Sequence, residues 1–123
     1  MKKAITLTVL SGVLLAGCSG PAKDAEYKNI NDLGKAYEQA VGDGMKCSET
    51  KNKIDDYGWV QTTCGPTGII MIFTSDAKRE EIKQKNPLES GRRWIQGKNW
   101  LVEADQFQAE KAQKSLGGEL LSS

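Results

Sequence analysis

The chain of 123 residues contains no histidine. That absence excludes Ser-His-Asp triads, Cys-His pairs, histidine metal sites and histidine pH switches. Nor does one sign of charge dominate. Lys and Arg number 17 against 16 Asp and Glu, and loss of Lys2 and Lys3 with a leader turns the formal net charge from +1 to −1. Nucleic-acid binding draws on a surplus of cations facing phosphates, so no nucleic-acid partner is expected. No apolar run reaches the roughly 20 residues that a membrane-spanning helix needs. Cysteine is scarce at three, without a Cys-x-x-Cys, which weighs against a redox or metal-binding pair. Calcium loops, phosphate loops and dinucleotide fingerprints are missing as well, and no metal or cofactor is expected. The length leaves room for one small domain.

What is present begins at the N-terminus. Lys2 and Lys3 precede an apolar stretch from Ala4 to Ala16, the layout of a secretory signal peptide. The stretch closes in Leu15-Ala16-Gly17-Cys18, which resembles the lipobox of bacterial lipoproteins. That resemblance implies a diacylglyceryl group on the Cys18 thiol, cleavage between Gly17 and Cys18, and an N-terminal amine open to acylation, with palmitate as the typical chain. Two or three acyl chains, at about 0.8 kcal/mol per buried methylene, make a stable anchor where one would be marginal. The expected organisation is a signal peptide over 1–17, a lipid-anchored tether over 18–28 and one domain over 29–123. Ser19-Gly20-Pro21-Ala22-Lys23-Asp24-Ala25-Glu26 has the small, polar character of such a tether. The same resemblance implies that Ser19 after the cysteine would not retain the protein at the inner membrane of a double-membraned cell, so the host's envelope decides the final address.

Lipidation of Cys18 leaves Cys47 and Cys64 as an even pair in an oxidising compartment, where a bridge closing their loop stabilises by about 3 kcal/mol. Met45 to Lys51 and Tyr57 to Cys64 read as two strands joined around Asn52-Lys53-Ile54-Asp55-Asp56. Pairing residue 47 with 64 places Lys51 opposite Val60. Facing positions on antiparallel strands suit a disulfide, above all at non-hydrogen-bonded pairs.

Ile30, Leu33, Tyr37, Ala40 and Val41 recur at helical spacing, with Asn29 or Asn31 to cap the start and Gly42 or Gly44 to end it. After a turn at Gly65-Pro66, the apolar run Thr67 to Thr74 suits a central strand buried on both faces. Ser75 caps a short charged helix through Lys85, stopped by Asn86-Pro87 and carrying Ile82 as its one sizeable apolar residue. Arg92 to Gln96 and Asn99 to Glu103 form a second hairpin about Gly97-Lys98. Asp105 and Gln108 resemble a capping box for a helix with Phe107, Ala109, Ala112 and Leu116 inward, closing at Gly117-Gly118. Leu120-Leu121 supplies a final edge strand. The order α-β-β-β-α-β-β-α(-β) predicts an α+β fold, a small mainly antiparallel sheet packed by two or three helices, with one disulfide hairpin.

Candidate chemistry is sparse. Ser48-Glu49-Thr50-Lys51 and Ser75-Asp76-Ala77-Lys78 match the S-x-x-K of penicillin-recognising enzymes. With 8 serines and 14 lysines in the chain about one such match arises by chance, and the companion S-D-N and K-T-G motifs are missing. Asp55-Asp56 suits a turn, and Glu80-Glu81 is interleaved with Lys78, Arg79 and Lys83 on a solvated helix. The candidate partner-binding residues are Arg92, Arg93, Trp94, Lys98 and Trp100, with Trp59 nearby, because tryptophan and arginine concentrate at interface hot spots. The competing reading makes the tryptophans core and the cations a solvated rim.

The Cys47 to Cys64 hairpin, Ile69-Ile70-Met71-Ile72-Phe73 with Thr74-Ser75-Asp76, Asn86-Pro87-Leu88-Glu89 and Gly97-Lys98-Asn99-Trp100 are similar to small exported lipoproteins of Gram-positive actinobacteria. That resemblance implies attachment to the outer face of the cytoplasmic membrane and no particular reaction. The expected function is a non-enzymatic binding or interaction lipoprotein of the cell envelope, with an envelope protein or glycan as partner. The alternatives are a phage or plasmid surface-exclusion or inhibitory lipoprotein and, third, a small envelope enzyme.

Overall fold

Each helix starts where a short polar side chain accepts a backbone N–H that the helix itself leaves unpaired. The computed structural model describes residues 23–54 and 57–122; the lipobox, Cys18 and the Asp55-Asp56 pair lie outside them. Asn29 accepts from the Asn31 amide and opens α1, Ile30–Val41, which ends at Gly42 with φ 69°. Ser75 accepts from the Lys78 amide and opens α2, Asp76–Lys85. Asp105 accepts from the Gln108 amide and opens α3, Gln106–Leu116. The strands are β1, Trp59–Cys64; β2, Gly68–Phe73; β3, Arg92–Gln96; β4, Trp100–Asp105; and β5, Glu119–Leu121.

The five strands form one sheet in the order β1-β2-β4-β3-β5, with every neighbouring pair antiparallel. The fold is α+β, in the order α-β-β-α-β-β-α-β. Side chains alternate across the sheet with the period of two that a strand imposes. Ile70 and Ile72 of β2 join Val102 and Trp100 of β4 beneath α1 and α3, in a core with Leu33, Tyr37, Ala109, Ala112 and Leu116. Met71, Phe73, Leu101 and Trp94 point to the opposite face, where α2 presents Ile82 alone. The second face is therefore only partly roofed, and Trp59, Ile69, Leu88 and Leu121 are half-buried around its margin.

Four local expectations change. Met45 to Lys51 is not a strand: apart from a single bridge from Cys47 to Cys64, the segment leaves the sheet after Ser48. The Asn31 side chain takes it away, donating to the Thr50 carbonyl and accepting from the Thr50 amide, both at 3.1 Å. Lys51 consequently has no ladder pairing with Val60. The apolar β2 is buried on both faces but sits second in the sheet; β4 is the central strand, because β5 adds beyond β3. The second hairpin turns at Lys98-Asn99, with the Gly97 amide donating to the Trp100 carbonyl at 2.9 Å. Phe107 is 75% exposed. It lies two residues, about 200° of helix rotation, before Ala109, and so points away from the face that Ala109, Ala112 and Leu116 bury.

The chain enters the fold five residues earlier than Asn29. Asp24 to Tyr27 form a strap across the end of the sheet. The Asp24 amide donates to the Leu116 carbonyl at 2.9 Å, and the Gly118 amide donates to Asp24 Oδ1 at 2.7 Å. Asn99 completes the strap by accepting from the Tyr27 amide through Oδ1 at 3.0 Å and donating to the Tyr27 carbonyl through Nδ2 at 2.6 Å.

Candidate functional site

Cys47 and Cys64 are joined by a disulfide. The bridge occupies a non-hydrogen-bonded antiparallel pair, since the flanking bonds run from the Ser48 amide to the Thr63 carbonyl and from the Gly65 amide to the Lys46 carbonyl, each at 2.8 Å. Glu38 Oε2 accepts from the Cys47 amide at 2.7 Å. Gly34 of α1 packs directly on the bridge, where a Cβ would lie 3.3 Å from that of Cys47. The disulfide thus ties the arm that carries Cys47, on which α1 packs, to the edge of the sheet.

The second hairpin distributes its tryptophans and cations over separate environments. Trp100 is fully buried beneath α1 and α3, with its indole Nε1 donating to the Ala25 carbonyl at 2.9 Å. Trp94 is buried on the other face, where Lys83 Nζ lies 5.2 Å from its ring centroid and also donates to Gln96 Oε1. Arg92 donates through Nε to Glu103 Oε2 at 2.8 Å and through Nη2 to the Thr67 carbonyl at 2.6 Å. Arg93 is half-buried and Lys98 is exposed at the turn. Trp59 stacks on Phe73 at the far edge of β1 and β2, with ring centroids 6.4 Å apart. The sheet therefore does not gather Arg92, Arg93, Trp94, Lys98 and Trp100 into one exposed patch.

Arg92 borders a groove. That groove, about 740 Å³, opens where the segment after α2 crosses the incompletely roofed face. Ile69, Pro87 and Leu88 supply apolar walls, and the Arg92–Glu103 pair supplies a polar wall whose two side chains are 15% and 14% exposed. Lys85 and Glu89 stand at its rim. The arrangement is a concave mixed surface next to a fixed ion pair, suited to receiving an apolar side chain beside a polar group. A second hollow, about 510 Å³, lies where the 50–54 segment swings away from β1, between Val60, Ile72 and the start of α1.

Titratable groups with displaced pKa values are dispersed, and each has a local cause. Burial, with the Asp105 charge adding, pushes the Tyr37 hydroxyl up to about 12, while Arg92 pulls the other way. That hydroxyl donates to Gln108 Oε1 at 3.3 Å. Gln108 is thereby engaged with α1 instead of completing a reciprocal capping box. Tyr27 is also raised, by burial first and Asp32 second. The hydrogen bond from Arg79 holds Glu80 low, those from Lys85 and Lys78 hold Glu81 low, and that from Lys111 does the same for Asp43. These three carboxylates belong to surface ion pairs. Among the described residues, no three acidic or cysteine side chains come together as a metal-ligand group.

No known family, curated protein or solved structure matches the chain. Within the molecule, two features escaped the sequence reading. The groove walls Ile69 and Leu88 lie 19 positions apart in the chain, and the only local sign of them was an apolar residue immediately after the helix-stopping Pro87. The strap was hidden by its own composition, because Asp24 and Ala25 have the small, polar character of a linker.

Proposed function

We propose that this chain is a bacterial lipoprotein, cleaved before Cys18 and held by lipid on the outer face of the cytoplasmic membrane, whose domain binds an envelope component without turning it over. The observation that carries the reading is the Cys47–Cys64 bridge. It accounts for two of the three cysteines and leaves Cys18, at the end of Leu15-Ala16-Gly17-Cys18, as the remaining thiol. A disulfide also suits an oxidising compartment.

Binding is the reading that the concave, mixed surface beside the Arg92–Glu103 pair supports. The groove beside Arg92 and Glu103 is the concave surface assigned to the partner, an envelope protein or a glycan. Replacing Cys18 by Ser in a bacterial host tests the anchor. The variant is expected to leave the membrane fraction or to accumulate as an uncleaved precursor; normal processing with full membrane retention would contradict lipidation.

A further inference from the structure

We infer that the strap makes a short mount of the N-terminal segment, so that the domain stands end-on upon the lipid surface, its Lys98 turn toward the bilayer and its Arg92–Glu103 groove away from it. This rests on the lipid-anchor reading of Cys18. Asp24 is fixed to the end of α3 through the Leu116 carbonyl and the Gly118 amide, Ala25 to the Trp100 indole, and Tyr27 to Asn99. Gly117 shows how close this docking is: a Cβ there would lie 2.2 Å from Asp24 Oδ1, and its φ of 80° already favours glycine.

Docking at Asp24 leaves five residues, Ser19 to Lys23, between the acylated Cys18 and the fold. Whatever path it takes, a connector of six Cα steps spans at most about 20 Å. The domain takes up most of that span. β4 alone runs six residues from Trp100, beside the strap, to Asp105, a rise of about 17 Å at the usual strand spacing. α3 runs back alongside it, from the exposed Phe107 at the far end to Leu116 beside Asp24. The Phe107 end cannot rest on the bilayer without stretching the connector close to its limit.

Charge does not set this orientation. The exposed residues Lys23, Lys28 and Lys98 share the strap end with Glu26 and Glu119, so the lipid-facing end is mixed. The mount itself decides, and the consequence concerns the partner. Ile69, Arg92 and Glu103 lie toward the ends of their strands remote from the Lys98 turn, and Thr67 lies in the β1–β2 turn at that same end. The groove is thus presented outward into the envelope.

The test uses the full-length lipidated protein in vesicles of phosphatidylcholine and phosphatidylglycerol carrying a headgroup quencher. With Cys18 acylated and Cys47 bridged to Cys64, a cysteine introduced by Lys98→Cys or Phe107→Cys is the one free thiol for a fluorophore. Flotation with the vesicles and the mass of the N-terminal peptide establish the anchor separately. In protein that floats and carries lipid, Lys98→Cys is expected to be quenched at least twofold more than Phe107→Cys. Equal quenching, or the reverse order, would overturn the orientation while leaving the anchor intact. Protein without lipid that fails to float would overturn the anchor reading and the orientation with it. Asp24→Ala combined with Asn99→Ala, in protein whose near-UV circular dichroism is unchanged, is expected to bring the two labels to similar quenching. A persisting difference in that folded variant would show that the strap is not the mount.

Discussion

The indole Nε1 of Trp100 donates to the carbonyl of Ala25 at 2.9 Å, so a buried aromatic of the central strand is closed off by chain that precedes the first helix. Tyr27 packs edge-on against the same ring, with centroids 6.2 Å apart. The strap and the sheet therefore share one packing unit, which makes the first prediction a matter of volume.

Gly97 lies against that ring so closely that a Cβ would fall 1.9 Å from it. Gly97→Ala is expected to destabilise the domain by about 2 kcal/mol or more, the usual cost of overpacking a filled core. Trp100→Phe keeps most of the packing but leaves the Ala25 carbonyl without its donor, at a cost of about 1 kcal/mol. Urea unfolding of both variants checks the order, and an unperturbed Gly97→Ala would show that the Trp100 pocket is loose.

Reduction should weaken the fold without abolishing its sheet, since the bridge joins an arm and the edge strand β1. Removing it through Cys47→Ala with Cys64→Ala is expected to cost about 3 kcal/mol for a loop of this size. Thiol labelling of the oxidised mature protein should find neither cysteine until a reductant is added. Quantitative labelling before reduction would contradict the bridge.

Alkaline pH acts through Tyr37. Its folded pKa lies at about 12 against an ordinary value of 10.0, so the folded state keeps a proton that the unfolded chain releases first. The stability it contributes is complete below pH 10 and is lost as the pH rises from there toward 12. Tyr37→Phe should flatten this part of the pH profile in chemical unfolding. On the acid side the sign reverses. Glu80, Glu81 and Asp43 are lowered, so their contribution is present above the ordinary carboxylate range and declines as they protonate below it.

Partner binding is best probed at Leu88. It is half-buried on the groove wall and packs against the second core cluster, so Leu88→Glu places a charge in the groove and is used only where its urea unfolding matches the wild type. In crosslinking capture from the native envelope, this variant is expected to lose a partner that the wild type retains. Equal capture would move the binding surface elsewhere. Arg92→Ala is a poorer probe, because it strands Glu103 and the Thr67 carbonyl without their donor and is expected to cost about 2 kcal/mol of stability.

These probes reflect what can and cannot be read from the chain. Helix starts at Asn29, Ser75 and Asp105 were readable because a cap and its recipient lie within three residues. The Cys47–Cys64 pairing followed from the count of cysteines and the spacing of two local segments. The departure of the 48–54 arm did not, because it depends on Asn31 and Thr50, 19 residues apart and without any periodic signal. The separation of the tryptophans was within reach. A two-residue turn places residue i of β3 opposite a β4 residue of the other parity, so Trp94 faces Glu103 while Trp100 faces Gly97, and the two rings fall on opposite sides. Arg92 was expected to meet a partner; its own contacts in the fold, Glu103 and the Thr67 carbonyl, come from β4 and the β1–β2 turn, positions that only the folded sheet brings together.

The most direct measurement is the mass of the N-terminal peptide of the mature protein, recovered from the membrane fraction of a bacterial host. The account predicts a peptide beginning at Cys18 with a thioether-linked diacylglyceryl group. A peptide beginning elsewhere, or an unmodified Cys18 thiol in membrane-bound protein, would contradict it.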